Sequence, residues 1–114
     1  MSRRRWHMSR AAGGGVVLAR SVVRFDVSAE TQLPSAAPAR IAHQVRQDVW
    51  RALRRLRGFA PVVSVEPNAT GLRIVAGGAV TGAIPPGTGA AIAAVLEHRG
   101  NRARWLAHAR RGQG

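Results

Sequence analysis

The stretch Ala39–Arg57, ARIAHQVRQDVWRALRRLR, decides how the rest of the chain is read. Ile41, Val45, Val49, Ala52, Leu53 and Leu56 recur in it at helical spacing. At about 100° per residue they cover roughly one third of a circumference, so the spacing predicts an amphipathic helix over 39–57. The opposite arc collects Arg40, His43, Arg46, Gln47, Arg51, Arg54 and Arg57. Gly58 follows as a C-terminal stop, and arginines in the last turn suit the negative end of the helix dipole. Trp50 sits on the polar arc, about 120° from the centre of the apolar stripe. Arg46 and Arg54 are one turn to either side of it, Arg57 is two turns on, and His43 is two turns before.

Upstream, Val23, Phe25 and Val27 alternate with Arg24, Asp26 and Ser28, the period of a half-buried strand over 21–28. Residues 31–39 carry Pro34 and Pro38 and read as a loop. Downstream, 61–66 and 72–76 flank Pro67-Asn68-Ala69-Thr70-Gly71, which predicts a β-hairpin with Leu72, Ile74 and Ala76 inward and Arg73 outward. Gly77-Gly78 reads as a bulge or as the end of that strand. Thr88 is placed to cap a helix over 89–98 that Gly100 ends. Asn101 is placed to cap a last helix through Arg110, with Trp105 and Leu106 as its apolar contacts.

A right-handed first crossover puts the second hairpin strand between the other two. The expected fold is therefore α+β with element order β-α-β-β-α-α. Its sheet is three-stranded and antiparallel, of order 1-3-2, with the helices packed on one face. Residues 1–20 carry Arg3, Arg4, Arg5, Arg10 and Arg20 without a single acid, and Gly13-Gly14-Gly15 breaks any helix there. They read as a flexible basic arm ahead of a single domain over 21–111. Met-Ser-Arg occurs at both Met1 and Met8, so either methionine can be the start.

Composition narrows the function classes. The chain has 114 residues with 18 basic and 5 acidic side chains, a net charge of +13. That length fits one small core rather than a two-domain enzyme. There is no Cys, which excludes disulfides, thiolate zinc sites and a thiol nucleophile. Every basic residue is Arg, in a chain rich in Ala and Gly, so the choice of Arg over Lys reflects codon bias. The scarcity of acids does not follow from that bias. Uncompensated charge of this size repels itself, and a polyanionic partner offsets the repulsion.

No run of residues is long and apolar enough for a bilayer span. The segment Ser2-Arg3-Arg4-Arg5-Trp6 resembles a twin-arginine export signal, but the apolar part after it is short and Gly-rich, so a cytoplasmic location is expected. Pro85-Pro86-Gly87-Thr88-Gly89 resembles a phosphate-binding NTPase loop. Ala90 and Ala91 stand where that loop needs its Lys and hydroxyl, so nucleotide hydrolysis is not expected. The acids Asp26, Glu30, Asp48, Glu66 and Glu97 form no acid/base dyad, and the four histidines show no metal spacing.

These residues point to a non-catalytic nucleic-acid-binding protein with no cofactor, no metal and no small-molecule substrate. Its expected contacts are Arg40, His43, Arg46, Arg51, Arg54 and Arg57 of the helix, joined by Arg73 and Arg102, with an exposed Trp50 stacking on a base. Single-stranded RNA or DNA is favoured slightly over duplex, because stacking on Trp needs an exposed base. The alternative is a structural or assembly adaptor in a ribonucleoprotein, phage-like or secretion particle. The same Trp–Arg face would then dock on an acidic protein surface. Attachment to a membrane is disfavoured, because little apolar surface is available for insertion.

Overall fold

The computed structural model describes residues 6–20 and 23–111. Eight elements follow one another: β1 (His7–Arg10), β2 (Val16–Ala19), β3 (Val27–Leu33), α1 (Pro38–Leu53), β4 (Ala60–Asn68), β5 (Gly71–Ala79), α2 (Thr88–Glu97) and α3 (Arg99–Arg110). The α+β class stands, but the sheet has five strands, in the order β1-β2-β4-β5-β3, rather than three in the order 1-3-2. All neighbouring pairs are antiparallel.

The two additional strands come from the segment expected to be a flexible arm. Its glycines form the turn of a hairpin: Gly14 takes φ 88°, and its N–H donates to the Ala11 carbonyl at 3.0 Å. Strand β2 then pairs with β4 from Val16↔Val65 to Ala19↔Val62, which carries Val16 and Leu18 into the core. Residues 1–5 of the expected arm lie outside the described residues, as do the first two of the strand expected over 21–28. Within the latter segment the regular strand starts only at Val27 and runs on through the expected loop to Leu33. Val23 and Phe25 are exposed ahead of it. Asp26 ties this entry down, accepting from the Val80 N–H at 2.8 Å while its own N–H donates to the Gly78 carbonyl at 2.9 Å.

The β4–β5 hairpin pairs from Ala60↔Ala79 to Asn68↔Gly71. Gly77 and Gly78 stay within β5, paired to β4 on one side and β3 on the other, so they make neither a bulge nor a strand end. Gly78 takes φ 151°, and a Cβ there would run into the backbone of Ala60 and Pro61. This close approach lets the sheet stay continuous across three strands.

One face of the sheet is covered. Val16 and Leu18 of β2, Val63 and Val65 of β4, Leu72, Ile74 and Ala76 of β5, and Leu33 of β3 join one core with Ile41, Val45 and Val49 of α1 and Ile92 and Leu96 of α2. Helix α1 packs over β2, β4 and β5, helix α2 over β3, and α3 lies against both helices. Pro38 at the start of α1 has no N–H to waste there. The helix ends at Leu53, four residues short of the expected Arg57. The chain then folds back through Leu56 N–H to Leu53 O (2.9 Å) and Phe59 N–H to Leu56 O (3.2 Å), with Gly58 at φ 67°. His98, rather than Asn101, caps α3: its Nδ1 accepts from the Asn101 N–H at 3.1 Å. Gly100 therefore sits in the first turn of α3 instead of ending α2.

Helix α3 is fixed to α1 through one carboxylate. Asp48 lies at the edge of the apolar stripe of α1, two turns past Ile41, and it is 8% exposed because α3 covers it. It accepts from the Trp105 indole N–H at 2.6 Å and from Arg104 at 2.8 Å. Trp105 itself is fully buried. An indole can be buried at full depth only if its N–H finds an acceptor, and Asp48 is that acceptor. Asp48→Ala should lower stability by about 2–4 kcal/mol in urea unfolding, with Asp48→Asn losing less because an amide oxygen can still accept. Gly78→Ala should lower it by about 1–3 kcal/mol through backbone crowding alone.

Candidate polyanion-binding site

The chain's five carboxylate side chains are all engaged. Asp26 pairs with Arg24 at 2.9 Å, Asp48 with Arg104 at 2.8 Å and with Arg51 at 3.7 Å, and Glu97 with Arg102 at 3.6 Å. Glu30 and Glu66 flank Arg73 at 3.0 and 3.7 Å on the uncovered sheet face. These pairs decide which arginines keep an uncompensated charge. Among the described residues, Arg10, Arg20, Arg40, Arg46, Arg54, Arg55, Arg57, Arg99, Arg110 and Arg111 belong to no ion pair.

Five of them, Arg20, Arg46, Arg54, Arg55 and Arg57, belong to a flank of the fold that also carries three aromatic rings. Along α1, His43, Arg46 and Trp50 succeed one another at three- and four-residue spacing, so they line one side of the helix. The N-terminal hairpin comes up against that side. Arg46 lies over the ring of Trp6, its Cζ 4.5 Å from the ring centroid. Arg20, just past β2, reaches the same indole at 5.4 Å. One turn beyond Arg46, Trp50 is half-buried and stacks on Phe59, centroids 6.3 Å apart and planes 5° from parallel. Arg54, Arg55 and Arg57 are exposed in the turn between Trp50 and Phe59.

The electrostatics agree with this layout. Partial burial, and then the charge of Arg20, hold the Arg46 guanidinium below its usual range. It still remains a cation at neutral pH. Burial, followed by the charge of Arg46, likewise lowers His43. The Nε of Arg20 and the Nε of Arg46 are both buried without a hydrogen-bond partner in the protein.

The structure brings together only part of the set read from the sequence. His43, Arg46 and Trp50 are contiguous, and Arg54 and Arg57 follow them in the turn rather than on the helix. Arg40 is exposed in the first turn of α1, away from Trp50 at the other end. Arg51 points toward Asp48. Arg73 is held between two glutamates on the opposite side of the sheet. Arg102 is half-buried and structural, donating to Thr31 Oγ1 and the Leu96 carbonyl at 2.9 Å and to the Gln32 carbonyl at 2.6 Å. Trp6, Arg20 and Phe59 complete the flank, and sequence reading missed all three. The available signal was Arg20 at the edge of an apolar run, Val16–Ala19.

Among the described residues, no group of three His, Asp or Glu side chains could hold a metal, and no helix is long and apolar enough to cross a membrane. Comparison with models of protein families, with curated proteins and with solved structures finds no match for this chain. The flank must therefore be read from its chemistry: guanidiniums held beside aromatic rings, with no carboxylate of their own.

Because His43 is lowered from its ordinary 6.5, the folded chain binds fewer protons than the unfolded one as that group titrates. Its contribution to stability is whole above pH 6.5 and is lost as pH falls through the lower folded value. Asp26 and Glu30 are lowered too, chiefly by hydrogen bonds from Arg24 and Arg73, but they act only in the more acidic carboxylate range. Melting temperature should thus drop in mild acid before the carboxylates titrate. His43→Gln should reduce that first drop and leave the more acidic one.

Proposed function

We propose that the protein is a non-catalytic nucleic-acid-binding domain that holds a phosphodiester backbone along the flank of α1, with single-stranded RNA or DNA favoured. One observation carries the reading. The carboxylates are all committed elsewhere, and five of the ten arginines left over, Arg20, Arg46, Arg54, Arg55 and Arg57, lie beside or just past Trp6 and Trp50. Guanidiniums hold phosphates without reading sequence, and an aromatic ring accepts any base on its face. Trp50 is backed by Phe59, which holds the indole in one orientation for the base that meets it. A duplex hides its bases from such a ring, and an unpaired strand does not.

This function also fits the net charge of +13, since strand phosphates relieve the self-repulsion of the folded domain. A cytoplasmic setting is the matching location. The reading assigns the protein no reaction, cofactor or small-molecule substrate.

Binding of a labelled single-stranded oligonucleotide, followed by anisotropy, tests the proposal. If about five phosphates are neutralised, the single-strand salt slope is about −3.5, and affinity should fall about a hundredfold from 50 to 200 mM salt. Trp50→Ala, checked for folding by circular dichroism, should weaken binding by about 1–3 kcal/mol. Absence of binding at low salt overturns the reading. A stoichiometric acidic protein that stays with the chain through nuclease treatment would favour the adaptor instead.

A further inference from the structure

We infer that Arg20 and Arg46, both held on the Trp6 indole, form a clamp for one phosphomonoester group, which in a nucleic acid is a phosphorylated strand end. This rests on the nucleic-acid reading for the identity of the ligand, though not for its chemistry.

Two guanidiniums within 4.5 and 5.4 Å of one ring centroid are two like charges in a small volume. The negative face of the indole offsets part of their repulsion. No carboxylate among the ion pairs reaches either of them. Asp48, two residues past Arg46, turns its carboxylate to Arg104 and Trp105, and His43, on the same side of α1 as Arg46, is pushed toward its neutral form and supplies no anion. The net charge of the cluster is therefore about +2.

That charge selects among phosphates. A backbone phosphodiester carries one negative charge and two free oxygens. A phosphomonoester carries about −1.5 to −2 at neutral pH and three strong acceptor oxygens. Each guanidinium is a planar fork that engages two acceptor sites at once. Two forks therefore match the charge and the oxygen count of the monoester, and exceed both for the diester. The indole also fixes the forks before the ligand arrives, which removes part of the ordering entropy of binding. Three further unpaired arginines, at 54, 55 and 57, lie in the exposed turn past Trp50 and can follow internal phosphates away from the clamped end.

The test uses the full chain with 5-fluorotryptophan, the Trp6 signal being assigned by its loss in Trp6→Phe. Inorganic phosphate, a nucleoside 5′-monophosphate, and one oligonucleotide with and without a 5′-phosphate are added in separate titrations. The Trp6 signal should shift with inorganic phosphate and with the monophosphate. The 5′-phosphorylated oligonucleotide should bind about tenfold more tightly than its unphosphorylated twin. Arg20→Gln with Arg46→Gln should abolish that preference. Arg46→Lys, which keeps the charge and loses the fork, should reduce it and serves if the double variant does not fold. Equal affinity for the two oligonucleotides, with a still Trp6 signal, overturns the clamp while leaving nucleic-acid binding in place. A Trp6 shift with phosphate, but no oligonucleotide binding at all, upholds the clamp and overturns the nucleic-acid reading. If the monophosphate binds as tightly as the phosphorylated strand, the clamp stands and its ligand is a nucleotide rather than a strand end.

Discussion

Five carboxylates must serve a chain of net charge +13, and where each of them goes shapes the molecule. Asp26 joins the entry of β3 to the end of β5. Glu30 and Glu66 hold Arg73 across three adjacent strands. Asp48 lets Trp105 be buried and fixes α3 on α1. Glu97 accepts from Thr31, at 2.7 Å, and ties α2 to β3. Each acid thus makes a tertiary link, and none is left to compensate the arginines beside Trp6 and Trp50. The charge there is a consequence of where the acids are needed for folding.

The indoles show how one side-chain type takes three roles by environment. Trp105 is fully buried, and its N–H is satisfied by a carboxylate. Trp6 is a platform on which two cations lie. Trp50 rests on Phe59 and is only half-buried. Burial of an aromatic ring stabilises by its area, while its π-face attracts guanidinium or a second ring. The first effect builds the core of this protein. The second holds two of its free cations, Arg20 and Arg46, on one side of α1.

Much of this fold was legible where a pattern is long enough to repeat. Ile41, Val45 and Val49 mark the buried side of α1, and alternating Leu72, Ile74 and Ala76 mark the inward side of β5. Strands β1 and β2 were not legible. Four residues are too few to display a period, and a glycine triplet reads equally as linker or as hairpin turn. The end of α1 was misplaced because Leu56 continues the helical spacing, although the chain has to turn back before Phe59. The role of Asp48 had no local sign, because a helix wheel knows only one packing partner, and α1 has two: the sheet and α3. Of the candidate site, the run His43–Arg46–Trp50 could be read from helical spacing. The contact of Arg46 with Trp6 spans 40 positions of chain and leaves no local trace. Arg73 and Arg102 looked available because partners of theirs, Glu30 and the Gln32 carbonyl, are distant in sequence.

The three indole N–H signals, at residues 6, 50 and 105, offer the most direct test of whether this flank is where polyanions bind. They can be followed by 1H–15N NMR as a single-stranded oligonucleotide is added. Movement of the Trp6 and Trp50 signals, with Trp105 unmoved in its bond to Asp48, is the expected result. Still signals at Trp6 and Trp50, while resonances of α3 or of the uncovered sheet face move, would place binding elsewhere and contradict it.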